Sequence, residues 1–320
     1  MKLDDKIRGA IVGYALGDAL GLGTEFMTRN EVESYYPDGL RRFDQIIRDV
    51  HRSQWDPGET TNDTVLLVRF IETLLQRGQF KLHDMALSLK EWMDLEGDEN
   101  IPAFNLFYHD PSWLDNPIAS AHRNRVKTSY EEATNETLQR GILTGLTSSD
   151  DELMEHTRRF VLMTHDDSRC VSSTKIIAKM VHSLLNKERE ATADELMNIC
   201  MQNDMRTIPF LEHALNGDID KLKVDNEHCM MWTRVSMGAA LWGFLHTDNA
   251  SDAIFKVIDL GGDADTNAAL SGALAGLKYG YDALPDEKER LKNLDALHDL
   301  SERLTAHIEK SIEARNRRYE

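Results

Sequence analysis

The chain has 320 residues, enough for one large domain or two ordinary ones, and its 41% hydrophobic and 29% charged content is that of a globular protein. Its 37 basic and 55 acidic residues leave a net charge of −18, which excludes nucleic-acid binding through a basic surface and disfavours an anionic membrane. No apolar run approaches the ~18 residues that a bilayer span needs, and the three scattered cysteines, Cys170, Cys200 and Cys229, include no Cys-x-x-Cys pair.

An odd number of separated cysteines argues for reduced thiols. The start of the chain, Met1-Lys2-Leu3-Asp4-Asp5-Lys6, has acidic residues where a signal peptide needs an apolar core, so the cytoplasm is the expected compartment.

From Ile7 to Leu20 apolar residues recur at helical spacing, interrupted by glycines whose smallness suits close helix–helix approach. Asp18 sits in this apolar stretch and is either a capping or ligand-orienting group or a buried, paired one. Glu25 follows a glycine-rich turn. Residues 30–56 read as irregular, with one short helix from Arg29 to Tyr36 and a turn at Pro37-Asp38-Gly39. A helix is expected to start near Thr61, then others over 81–99, 133–146, 153–164, 171–185, 193–203, 208–216, 231–245, 250–260, 265–279 and a heavily charged outer segment at about 285–320. The prolines at 102, 111 and 117 mark a loop-rich insertion. Arg123, Arg125 and Lys127 form a local positive patch, either a phosphate neighbour or a solvated face. Strand signals are almost absent. The expected fold is all-α, a compact single-domain helical bundle over residues 1–320.

Two stretches carry clustered oxygen ligands. Gly261-Gly262-Asp263-Ala264-Asp265-Thr266 places two carboxylates and a hydroxyl on a turn before an apolar helix. On a regular helix Asp263 and Asp265 would point about 200° apart, so they converge only where the backbone is not yet helical. Thr61-Asn62-Asp63-Thr64 repeats the pattern at another helix start. Either alone reads as a capped helix. Together they suit one or two hard divalent cations held in a shared site.

These residues carry a resemblance. Gly17-Asp18-Ala19-Leu20-Gly21 with Glu25, then Thr61-Asn62-Asp63-Thr64, then Thr164-His165, then Gly261-Gly262-Asp263-Ala264-Asp265-Thr266 resemble, in order and over nearly the whole chain, the motifs of the ADP-ribosylglycohydrolase family. The resemblance implies an all-α fold with a binuclear Mg²⁺ or Mn²⁺ centre. Its ligands would be Thr61, Asn62, Asp63, Asp263, Asp265 and Thr266. It also implies hydrolysis of the glycosidic bond between ADP-ribose and an acceptor, a modified arginine or another side chain, carried by a protein or a small conjugate. Such a bond breaks through an oxocarbenium-like transition state, and a carboxylate outside the metal set is needed for proton transfer. Glu25 is the first candidate and Asp63 the second. Asn135, Arg140, His165 and Gly262 are the expected substrate contacts.

The chain departs from the family pattern at two places. Asn62 stands where an aspartate is usual, and an amide oxygen brings no charge to a metal. Glu136 stands where a glycine is usual and Gln139 where a methionine is, and Glu136 would repel a diphosphate if it faced the cleft. Two other readings therefore stand beside the hydrolase: a weakly active or non-catalytic binding or structural protein on the same fold, and a hydrolase of another ribosyl glycoside.

Overall fold

The computed structural model describes residues 1–95, 109–128 and 133–317. Its centre is an antiparallel pair made by the first helix, α1 (Leu3–Gly21), and the fourteenth, α14 (Ala264–Tyr279). The glycines of α1 recur every fourth position and meet the small residues of α14 in reverse order. A Cβ on Gly9 would lie 2.4 Å from the Gly276 carbonyl oxygen, on Gly13 2.3 Å from that of Gly272, and on Gly17 2.1 Å from that of Ala268. The two backbones therefore touch, and α14 is buried from Ala264 to Leu277. A helix of mostly small residues buried on every side belongs in the middle of a bundle.

Around this pair run α2 (Arg29–Tyr35), α3 (Asn62–Arg77), α4 (Leu82–Leu95), α5 (Pro117–Thr128), α6 (Leu138–Thr147), α7 (Leu153–Leu162) and α8 (Ser168–Asn186). They are followed by α9 (Ala193–Asn203), α10 (Ile208–Asn216), the single turn α11 (Ile219–Leu222), α12 (Thr233–Leu245), α13 (Ala250–Ile258) and the C-terminal α15 (Leu294–Asn316). Among the described residues there is no sheet, only two isolated bridges, Met27 with Gly262 and Thr134 with Trp232. The all-α expectation holds. No helix among the described residues is long and apolar enough to cross a membrane.

Most expected helices appear within two or three residues of their bounds, and the exceptions have local causes. The helix expected over 133–146 starts only at Leu138, because Thr134 is bridged to Trp232 and the Leu138 N–H closes a turn on the Asn135 carbonyl at 2.9 Å. Asn135 and Glu136 consequently lie on a turn. The outer segment is broken: a 3₁₀ stretch Asp286–Arg290 is tied to the 55–60 loop by the Lys292 N–H on the Gly58 carbonyl at 3.0 Å, and α15 begins after it. It is also less peripheral than its charge suggests, since Leu297, Leu300, Leu304 and Ile308 form a buried stripe. Part of the expected 81–99 helix and much of the insertion lie outside the described residues.

Candidate metal centre and cleft

The antiparallel seam decides what meets at its end. The C-terminus of α1 delivers Asp18 and Glu25 to the N-terminus of α14, which carries Asp263 and Asp265. Asp263 is the N-cap residue, with φ −82° and ψ 68°, and only Asp265 is inside the helix. That break in regularity lets two carboxylates two positions apart converge. The turn before them needs φ of +68° at both Gly261 and Gly262, and a Cβ on Gly262 would lie 2.0 Å from the Val224 carbonyl oxygen. Only glycine fits there. The Gly262 N–H donates to the Met27 carbonyl at 2.8 Å and its carbonyl accepts from the Phe26 N–H at 2.6 Å, so the two loops are stitched together.

The second cluster is brought in by Asp18. This wholly buried carboxylate accepts the Thr61 N–H at 3.1 Å and the Thr64 N–H at 3.1 Å, and the Thr64 hydroxyl donates to it as well. Asp18 thus satisfies the free N–H groups at the start of α3 and locks that helix against α1. Thr61 is the N-cap of α3, its hydroxyl accepting from the Asp63 N–H at 3.3 Å. Across the gap, the Thr266 hydroxyl donates to Asp63 Oδ2 at 2.7 Å, joining the two clusters directly. Thr61, Asn62, Asp63, Asp263, Asp265 and Thr266 all line one cleft of about 570 Å³.

Glu25, Asp263 and Asp265 are buried and each offers an oxygen within 4.8 Å of the other two. Glu25, expected to stand apart from the metal ligands, instead joins the carboxylate cluster. Burial raises the carboxyls of Asp63 and Asp265 well above their ordinary range; the Asp18 charge adds to this at Asp63, and the Glu25 and Asp263 charges add to it at Asp265. Burial also raises Asp263 and Glu25, the latter partly offset by its hydrogen bond to His51. Buried carboxylates held so close, with no lysine or arginine among the described residues that line the cleft, are an arrangement that a hard divalent cation would relieve. The donors are all oxygens, so the residues present fit Mg²⁺ or Mn²⁺.

The expected substrate contacts divide. Asn135 lines the cleft, but its amide is committed, donating to Ser236 Oγ at 2.7 Å and to Asp263 Oδ2 at 2.5 Å. His165 lies behind the wall, with Nε2 3.2 Å from Glu136 Oε2 and Nδ1 2.8 Å from Thr164 Oγ1. Gly262 spends both backbone groups on Phe26 and Met27. Arg140 does not face the cleft. It is fully buried on the opposite side of α6, where it donates to the Phe160 carbonyl at 2.6 Å and lies 5.2 Å from the Phe160 ring centre. Its helix face, one residue round from Gln139, explains the difference. Arg123 and Arg125 of the positive patch turn to Ser112 and Asp167, not to the cleft.

Phe26, His51 and Trp55 line the cleft and had no sequence signal. His51 Nε2 lies 2.7 Å from Glu25 Oε2, and its ring sits between those of Phe26 and Trp55, with centres 5.3 and 5.5 Å away. Arg52 fixes the same loop, its Nε donating to the Gly23 carbonyl at 3.0 Å and its Nη2 to the Glu25 carbonyl. Phe26 is half exposed with φ of +61°, a conformation costly for an aromatic residue. His51, Arg52 and Trp55 lie in the stretch with no periodicity, and only the fold brings them to Glu25.

The model of the ADP-ribosylglycohydrolase family matches residues 1–314. The chain belongs to the ADP-ribosylglycohydrolase family. Among its relatives, the ADP-ribosylarginine hydrolase Tri1 of Serratia proteamaculans is 26% identical over 310 residues, covering 91% of this chain and 78% of that protein. The ADP-ribosyl-[dinitrogen reductase] glycohydrolase of Rhodospirillum rubrum is 24% identical, covering 92% and 95%. A solved structure described as an ADP-ribosylglycohydrolase-related protein complex superposes with a TM-score of 0.70 at 23% identity, over 96% of this chain and 99% of that one, and shares the fold.

Proposed function

We propose that this chain is a divalent-metal-dependent glycohydrolase that releases ADP-ribose from a modified side chain, with arginine as the acceptor that the name of the Serratia relative favours. The observation that carries the reading is the convergence of Glu25, Asp263 and Asp265 on one point at the cleft floor, with Asp63 tied in through Thr266. Asp63, Asp263 and Asp265 would hold the metal, with Thr61, Asn62 and Thr266 as neutral oxygens, and Glu25 beside them is left for proton transfer. When bound, the cations supply a positive field that orients the ribose hydroxyls and polarises a water.

The protein's own groups do the rest. Asp18 and Asn135 keep the carboxylates aimed, so that little reorganisation accompanies the reaction. Glu25 takes a proton from the attacking water, and the hydrogen bond to the partly exposed His51 gives that proton a route to the cleft mouth. The water oxygen bonds to the anomeric carbon as the bond to the acceptor nitrogen breaks, and the leaving nitrogen keeps the electron pair. Phe26 and Trp55 offer flat faces on which a purine can stack.

The test is release of free ADP-ribose from an ADP-ribosyl-arginine peptide with Mg²⁺, Mn²⁺ or chelator, for the native chain and Asn62→Asp. Metal-dependent release is expected from both, with the variant half-saturating at about tenfold lower metal because it adds a charge at the site. Release by neither sinks the reading. One observation favours a second reading: Asn62 lines the cleft, and release by Asn62→Asp alone would make the native chain a binding protein on an intact scaffold.

A further inference from the structure

Glu136 and Gln139 stand three positions apart on one wall of the cleft, where the turn before α6 becomes helix. Glu136 is fixed from behind. His165 Nε2 lies 3.2 Å from its Oε2, the same nitrogen is 3.2 Å from Thr134 Oγ1, and the other ring nitrogen is held by Thr164. Burial works to raise the Glu136 carboxyl, but His165, the Thr134 hydroxyl and a backbone hydrogen bond together outweigh it and hold the group below its ordinary range. It is therefore a carboxylate when substrate arrives. Gln139 is 2% exposed, and its amide nitrogen has no hydrogen-bond partner among the described residues. A half-turn of the terminal torsion presents either its oxygen or its nitrogen to a ligand.

The charge of the whole cleft points the same way. Glu25, Glu59, Asp63, Glu136, Asp263 and Asp265 line it, with no lysine or arginine among the described lining residues. The sequences of 96–108 and 129–132 contain neither residue type. Two divalent cations at the floor would still leave negative charge in excess, and Glu136 is on the wall rather than in the three-carboxylate cluster. A phosphate against this wall meets a carboxylate whose partner, His165, stands behind it and away from the cleft. A guanidinium meets a fixed carboxylate and, beside it, an amide oxygen, two acceptors for its planar fork of N–H donors.

We propose that Glu136, positioned by His165 and flanked by Gln139, is the specificity-determining seat for the guanidinium of an arginine acceptor. The inference rests on the glycohydrolase reading and adds to it the residues that choose the acceptor. It gives the departure from glycine at position 136 a purpose: the wall turns toward the leaving group, not toward the diphosphate. His165 is a positioning residue in this scheme, since it reaches the substrate only through Glu136.

Two readouts test it. The first is the ratio of kcat/KM on ADP-ribosyl-arginine and ADP-ribosyl-serine peptides, which share the ADP-ribose and differ in acceptor. Glu136→Gln is expected to lower the arginine preference at least about tenfold, the scale of losing one charged partner in a desolvated hydrogen bond, and His165→Gln to lower it less. The second needs no turnover: calorimetric titration of the Mg²⁺-loaded protein with agmatine, and with 1,4-diaminobutane as a cation lacking the guanidinium. Agmatine is expected to bind, the diamine not, and Glu136→Gln to abolish the difference while ADP-ribose binding persists. Gln139→Leu, which leaves the ion pair alone, should weaken agmatine in the same direction if Glu136→Gln fails to fold. Equal changes on both peptides, or agmatine binding that survives Glu136→Gln, overturn the proposal. If the native protein cleaves neither peptide, the glycohydrolase reading falls, and the agmatine titration still decides whether the wall selects a guanidinium.

Discussion

The two ends of the α1–α14 pair are built from the same seam and do opposite things. At the end near Gly9 and Gly276 the helices meet backbone to backbone. At the other end, beyond Gly17 and Gly21, the same close approach gathers Asp18, Glu25, Asp263 and Asp265. Each of these four carboxyls is raised, with burial as the first cause. One end is relaxed and stabilising; the other is an electrostatic burden that the first end holds in place. Sites assembled from mutually repelling groups need a rigid support, and here it is supplied by residues with almost no side chain.

Breaking the support should have the largest effect. Gly17→Ala places a methyl 2.1 Å from the Ala268 carbonyl oxygen, and pushing the helices apart should cost about 3 kcal/mol or more, read as a lower midpoint of urea unfolding. Gly78→Ala is the control: its Cβ would meet nothing within 4 Å, and only the left-handed backbone, φ +72°, should cost about 1 kcal/mol. Equal losses at both positions would mean that the seam is not special.

Relieving the burden should act in the other direction. Asp265→Ala removes one of the clustered carboxylates and should stabilise the metal-free protein by about 1 kcal/mol. The same change should abolish the gain on adding Mg²⁺, which for a native site at a hundredfold excess over its dissociation constant is about 2.7 kcal/mol. Thermal melts with and without Mg²⁺ read both. A Mg²⁺ shift that persists in the variant would remove Asp265 from the metal set. The smallest effect is expected at the rim. Phe26→Gly relieves the left-handed φ but loosens the unfolded chain, so stability should change by less than about 1 kcal/mol, while ADP-ribose binding weakens by roughly 1 kcal/mol as the exposed ring is lost. Unchanged affinity would leave Phe26 without a stacking role.

The seam and the two clusters were legible because each is written locally. Glycines at every fourth position of α1 announce a close helix contact, and Gly261-Gly262 before Asp263 announces a turn that ends in a helix. What could not be read was direction. Arg140 and Gln139 are neighbours in sequence, yet one is buried against Phe160 and the other lines the cleft, because adjacent helical positions point 100° apart and a single polar pair does not say which faces inward. Glu25 was read as a lone acid and proved to be one of a cluster, since its partners lie on α14. His51 and Trp55 carry no periodic signal at all. Residues placed by a hydrogen bond to a remote loop leave no trace in their own segment.

The Thr24 hydroxyl donates at 2.7 Å to the carbonyl of Ile258, 234 positions further along the chain, and α1 finds its main neighbour only in α14. During synthesis the first helix therefore emerges with its small-residue face uncovered, and it stays so until most of the chain has left the ribosome. Closing so long a loop is slow relative to local helix formation. The carboxylate cluster cannot gather before that closure, so a chain stalled short of α14 lacks Asp263 and Asp265 and with them the floor of the cleft.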